Sequence, residues 1–160
     1  MIWFTSDQHF DHKNIIKLCK RPFDNIEQMN NVLVNRWNET VRKDDTVYIL
    51  GDFAWRNPKP FIERLKGNKI FIIGGHDKKL KGKALVEVKL NDIWFILCHY
   101  PLYSWNKEYY GSIHLHGHNH NNPIEYKKNR INVGVDVWNF YPVSIEKILE
   151  SWQSGNASAC

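Results

Sequence analysis

Five apolar runs in this 160-residue chain each lead into an aspartate or histidine, and that recurrence limits the fold more than any other feature. Ile2–Thr5 leads into Ser6-Asp7-Gln8-His9, Thr46–Leu50 into Gly51-Asp52, and residues 69–73 into Gly74-Gly75-His76-Asp77. Ile93–Cys98 meets His99, and residues 112–116 lead into Gly117-His118-Asn119-His120. Short β-branched and aromatic runs bounded by turn residues are the pattern of strands. Ligand sites in open α/β sheets gather beyond the carboxyl ends of the strands. Five strand ends are therefore expected on one rim.

Further strands are expected at Leu85–Leu90, 124–126 and 130–133. Helical spacing runs through 25–41, where Ile26, Met29, Val32, Leu33, Arg36, Trp37 and Thr40 recur at steps of three and four. Asp24 stands where an N-cap belongs, with Glu27 three residues on. Shorter helices are expected at 58–65, opened by a proline, and at 144–152, with Ser144 as N-cap. Helices among the early strands, then consecutive strands, specify an α/β protein whose later sheet is mixed or antiparallel. The length suits one domain, expected over 1–152, with 153–160 a frayed tail.

No stretch approaches the roughly 20 apolar residues of a membrane span. The opening MIWFTSDQHF is polar by its sixth residue and is not expected to be a signal peptide. Cys19, Cys98 and Cys160 are odd in number and lack metal-type spacing, which fits a reducing cytoplasm. The net charge of +5 suits an anionic substrate, with solubility as the plainer reading.

Asp7 and His9 are two apart, as are His118 and His120, so each pair shares a face in extended chain. Carboxylate and imidazole without thiolate suit Mn²⁺, Fe or Zn²⁺ better than Ca²⁺ or Mg²⁺. Asp7, His9, Asp52, His99, His118 and His120 together exceed what one tetrahedral ion takes, so two ions are expected, bridged by Asp52. Two ions roughly 3.5–4 Å apart grip a phosphate by two oxygens and make a hydroxide nucleophile at neutral pH. His76, on a tight turn beside them, is placed to protonate the leaving oxygen. Each motif alone is weak: Asp after Gly is commonly a turn residue, and a lone His is commonly packing. The argument rests on five segments in order. His114 and His116 are read as pairing or core positions, Trp37, Trp55 and Trp94 as packing, and His12 as either site-lining or surface. An H-x-H-x-D-H metal motif is ruled out because His118 stands where its aspartate belongs.

In this order the motifs resemble those of the calcineurin-like metallophosphoesterase superfamily: D-x-H, G-D, G-N-H-(D/E), a strand-end H, and G-H-x-H. The stretches SDQHFDHKNII, RPFDNIEQM and INVGVDVWNFYPVS are similar to its small, cap-free bacterial and phage members, which extends the likeness to nearly the whole chain. The resemblance implies a four-layer α/β/β/α sandwich with mixed sheets and a dimetal site on the rim. By position, Asp7, His9 and His120 would hold one ion, His99 and His118 the other, and Asp52 would bridge. His76 would protonate the leaving group and Asp77 would orient His76, although by its own place in the chain Asp77 reads as a turn or cap residue. One position departs: the family's Asn ligand is here Gly75, which implies a weaker second ion and lower activity. The expected protein is a cytoplasmic phosphodiesterase for nucleotide or nucleic-acid diesters, with Mn²⁺ first and Fe, Zn²⁺ or Ni²⁺ as alternatives. Arg21, Tyr103 and Lys107, in loops near the first and fourth motifs, are the expected substrate contacts. The alternative is a non-catalytic nucleotide or nucleic-acid binding protein on the same fold.

Overall fold

Strand β1 (Ile2–Thr5) sends Trp3 to one side and Phe4 to the other, and that period-two split organises the molecule. Trp3 joins Val47, Ile49 and Phe71 against the helices, whereas Phe4 joins Tyr48, Leu50 and Ile72 against a second sheet. The computed structural model describes residues 1–155; residues 156–160 of the expected tail, Cys160 included, lie outside them.

The first sheet has the order β3-β2-β1-β8. β2 (Thr46–Leu50) and β3 (Asn68–Ile72) run parallel to β1, and the two-residue β8 (Val143–Ser144) is antiparallel to it. The second sheet has the order β4-β5-β6-β7. β4 (Leu85–Leu90) is antiparallel to β5 (Ile93–Cys98), while β6 (Ile113–His116) and β7 (Arg130–Asn132) run parallel to it. Both sheets are mixed. Helices α1 (Lys13–Leu18), α2 (Ile26–Thr40) and α3 (Lys59–Arg64) cover the outer face of the first sheet. Helix α4 (Ile145–Gln153) sets Ile145 and Ile148 into the core shared by the sheets. This is the expected metallophosphoesterase sandwich of two mixed sheets flanked by helices. In its centre Phe4 stacks between Tyr48 at 5.5 Å and Phe95 at 5.8 Å. Each such buried side chain contributes about 1.5–3 kcal/mol relative to leaving it in water.

Several expectations are corrected. Asn25, not Asp24, caps α2: its side chain accepts from the Gln28 N–H at 2.9 Å, and the Gln28 side chain accepts from the Asp24 N–H at 2.6 Å. Residues 124–126 form no strand, and α1 and β8 had no forecast. Among the described residues no helix is long and apolar enough to cross a membrane.

Candidate metal centre

Parallel pairing brings the carboxyl ends of β1, β2 and β3 to one edge, and β5 and β6 end beside them. Five of the six expected ligands hold left-handed backbone: Asp7 (φ 60°), His9 (51°), Asp52 (53°), His118 (71°) and His120 (51°). Such conformations cost non-glycine residues about 1–3 kcal/mol each and persist only where surrounding structure fixes them. Here the fixing is visible. The Asp7 N–H bonds Gly51 O at 3.1 Å and the His9 N–H bonds Asp52 O at 3.0 Å.

The side chains converge on Asp52. Its Oδ2 lies 3.5 Å from His99 Nε2, 3.6 Å from His9 Nε2 and 3.8 Å from His76 Nε2. Ligand-type atoms of Asp7, His9 and His120 lie within 4.8 Å of one another, and so do those of Asp7, Asp52 and His99. Neither cluster includes His118. Its N–H bonds Asp7 Oδ2 at 3.0 Å, and its ring lies 5.2 Å from that of His99 and 4.8 Å from that of Tyr100.

Three buried atoms in this group have no hydrogen-bond partner among the described residues: Asp7 Oδ1, His9 Nε2 and His99 Nε2. An unpaired buried polar atom costs about 1–3 kcal/mol, so three at one point need another purpose. The tautomers agree with that purpose. His99 Nδ1–H donates to Leu50 O at 2.8 Å and His120 Nδ1–H donates to Asp136 Oδ2 at 2.8 Å, which turns each Nε2 inward. The donor set fits divalent metal.

Electrostatics point the same way. Burial lifts the Asp7 carboxyl and pushes the His9 ring down to about 3. Burial also opposes charge on Asp52 and His99, yet each outweighs it in the other: Asp52 stays below the usual carboxylate range and His99 is raised. Burial opposes charge on His120 too, but Asp136, Cys19 and Asp7 push it up to about 10. Without metal, a proton on His120 supplies positive charge beside the Asp136 and Asp7 carboxylates.

Asp77 serves the turn, as its place in the chain suggested: its carboxylate accepts from the backbone N–H groups of Asp52, Phe53 and Gly74 at 2.7, 2.9 and 2.8 Å, and among the described residues it makes no hydrogen bond to the His76 ring. Arg21 is buried and saturated. It grips Asp136 through Nε at 2.7 Å and Nη2 at 2.8 Å, and it donates to Asp7 O and Gln8 O at 2.7 and 3.0 Å. The fifth N–H, on Nη1, meets Met29 Sδ at 3.5 Å, so no donor is left to meet substrate. Of the other two expected contacts, Lys107 Nζ sits 3.4 Å above the Trp94 ring, near the far end of β5, and Tyr103 lies under Lys127, which lines a hollow with His120. His76 is on the rim, its side chain 45% exposed.

Gly74 and Gly75 differ in kind. A Cβ on Gly74 would fall 2.5 Å from Asp52 Oδ1, so that glycine lets the turn close on the carboxylate. A Cβ on Gly75 would meet only Tyr100 Oη, at 3.2 Å, within 4 Å among the described residues. The backbone there accepts a side chain.

Asp136 is the residue the sequence reading missed. It links Arg21 to His120, and it follows an apolar strand and a glycine, as Asp52 does. His114 is a packing residue as expected, its Nδ1–H donating to Ile96 O at 2.9 Å and its Nε2 accepting from the Leu102 N–H at 3.0 Å.

No family model matches the chain. The chain is similar to the uncharacterized protein MJ1445 of Methanocaldococcus jannaschii, 40% identical over 165 residues that cover 96% of this chain and 92% of the relative. The crystal structure of the protein of unknown function AQ665 from Aquifex aeolicus aligns with a TM-score of 0.77 and 25% identity, over 94% of this chain and 98% of that one. Wild-type Vps29 from Entamoeba histolytica, complexed with Zn²⁺, shares the fold at a TM-score of 0.52 and 16% identity, over 83% of this chain and 73% of that one.

Proposed function

With these relatives the chain belongs to the calcineurin-like metallophosphoesterase superfamily, and from that premise we propose that it is a single-domain, metal-dependent phosphodiesterase acting on nucleotide or nucleic-acid diesters. The observation that carries the reading is the convergence of three buried, unpartnered acceptors around Asp52 Oδ2.

Asp7, His9 and His120 would hold one divalent ion and His99 and His118 a second, with Asp52 between them and Mn²⁺ the first choice. Bound divalent ions supply Lewis-acid polarisation of phosphoryl oxygens and bring the pKa of water to about 7. The protein's own part is orientation and proton supply. Leu50 O and Asp136 hold the His99 and His120 rings with Nε2 inward. Asp77 fixes the backbone of Asp52 against the Gly74 turn. His76 stands on the open side, its N–H bonded to Asp52 Oδ1 at 3.0 Å, where its ring hands a proton to the departing alkoxide. Gly75 removes one oxygen ligand, so the second ion binds less tightly and turnover is reduced.

The test is hydrolysis of bis(p-nitrophenyl) phosphate with Mn²⁺, alongside calorimetric titration of Mn²⁺. Saturable turnover that Asp52→Asn abolishes is expected. Tight Mn²⁺ binding with no turnover, in this chain and in Gly75→Asn, would transfer the assignment to the binding-protein reading, which Gly75 favours.

A further inference from the structure

Trp55 and Arg56 are shared by two adjoining hollows beside His76. One, of about 310 Å³, is lined also by Pro58, Lys78 and Lys79; the other, of about 190 Å³, by His12, Lys13 and Asn14. Together they make a groove that passes the proposed proton donor. Trp55 is 44% exposed, an unusual position for a large indole that carries no core packing. Its backbone N–H donates to Phe10 O at 2.9 Å, and the His12 ring backs the indole at 4.1 Å with an interplanar angle of 5°. Its centroid is 5.0 Å from that of His76. Ordering an aromatic face in advance removes an entropic cost from whatever stacks on it.

The charge around the groove is predominantly positive, although Asp11, which accepts from Asn30 Nδ2 at 2.8 Å, also lines the smaller hollow. Lys78, Lys79, Lys81 and Lys83 follow His76 with no acidic residue between Asp77 and Glu87, and Arg56 and Lys59 stand in a segment with none between Asp52 and Glu63. Arg56, Lys78 and Lys79 enter no ion pair among the described residues. Of the two acidic residues that line it, Asp77 is buried and committed to three backbone N–H groups.

We propose that this groove binds single-stranded nucleic acid, with one base stacked on Trp55 and the flanking phosphates on Arg56, Lys78 and Lys79. An aromatic platform beside unpaired cations is how proteins hold single strands without reading sequence. A duplex keeps its bases stacked on one another and offers none to a platform beside the cutting site. The inference rests on the phosphodiesterase reading and names its substrate class: the diester next to the stacked nucleotide lies at the metal centre, and that nucleotide lies beside His76.

Fluorescence anisotropy of a labelled oligothymidylate, its ribo counterpart and a duplex, titrated with metal-free protein at two salt concentrations, tests this. Single strands are expected to bind at least about tenfold more tightly than duplex, and the two sugars report DNA against RNA. Trp55→Ala is expected to weaken binding on the order of tenfold or more, as loss of one stacked base predicts, and Trp55→Phe to regain most of it. Lys78→Glu combined with Lys79→Glu should weaken binding further and flatten its salt dependence. Tyr109→Ala, at a residue 96% exposed that lines neither hollow, is the control and should bind as the parent does. Equal affinity for duplex, or unchanged affinity in Trp55→Ala, overturns the proposal; if circular dichroism shows that variant unfolded, the lysine pair decides. Turnover of bis(p-nitrophenyl) phosphate without oligonucleotide binding overturns this inference and leaves the phosphodiesterase. Binding that Trp55 governs, without turnover in Mn²⁺, overturns the phosphodiesterase and leaves the groove.

Discussion

Asp77 holds Asp52 by its backbone: the Asp77 Oδ2 accepts from the Asp52 N–H at 2.7 Å, and its other oxygen from the Phe53 N–H at 2.9 Å. A carboxylate so engaged acts through geometry. Asp77→Ala strands three backbone donors, and at about 1–3 kcal/mol each the loss should reach about 3 kcal/mol or more in urea denaturation. A residue that served only to orient His76 would change turnover and leave the unfolding midpoint alone.

Gly75→Asn should fold as well as the parent, because within 4 Å the new Cβ meets only the tip of Tyr100, half-exposed and able to give by a few tenths of an ångström. It should also tighten the second Mn²⁺ and raise the bis(p-nitrophenyl) phosphate rate by about tenfold or more, given what one well-aimed electrostatic contact contributes. Gly74→Ala, one residue earlier, should instead destabilise the protein, since its methyl collides with Asp52 Oδ1. Thermal melts of both variants, with calorimetric Mn²⁺ titration of the first, separate the two effects.

Arg21 was expected to meet substrate and is instead locked to Asp136. Arg21→Ala leaves the Asp136 charge buried without that partner, and a cost of about 3–5 kcal/mol is expected. Arg21→Lys should recover only part, since an ammonium cannot make the two-pronged contact. Denaturant midpoints check both. A substrate contact would have shown itself in KM alone.

Metal-free protein should lose stability as the solution becomes alkaline. The folded pKa of His120 is raised to about 10, above its ordinary 6.5, mainly through Asp136 acting against burial. Its contribution is therefore complete below about pH 6.5 and is lost as pH rises through about 10. A metal ion at Nε2 must displace that proton, so metal binding near pH 7 should release protons and tighten as pH rises. Melting curves across that range, and Mn²⁺ calorimetry in buffers of different ionisation enthalpy, test the two halves separately. His120→Gln should flatten the first dependence.

Chelation should leave the sandwich folded. The two apolar clusters, one under the helices and one between the sheets, are built from side chains other than the proposed ligands. Far-ultraviolet circular dichroism is expected to be unchanged in EDTA while the melting temperature drops. A spectrum that collapsed to that of an unfolded chain would mark the metal as the main source of folding energy.

The rim was readable because its signal is local. A strand reports itself by period two, and Asp7, Asp52 and His99 lie within a few residues of the strands that carry them. Asp136 follows the same rule, after β7 and Gly134, but its purpose depends on Arg21, 115 residues away, and spacing does not carry that. Helix α1 gave no periodicity because only Ile15 of its six residues is buried. Strand β8 has two residues, too few for alternation to register. Residues 124–126 look apolar yet are exposed, Ile124 at 38% and Tyr126 at 56%, so composition there misreported burial. Lys107 was assigned from nearness in sequence to His99, and the loop carries it to Trp94, at the other end of β5.

Asp7 and Asp52 end strands of the first sheet, whereas His99 and His118 follow strands of the second. An ion held among them would be a rivet through two plates that otherwise meet largely on interdigitated phenylalanine, leucine and isoleucine. Loading it should make amide hydrogens at the ends of β2, β5 and β6 exchange more slowly together, while those at the opposite edge keep their pace.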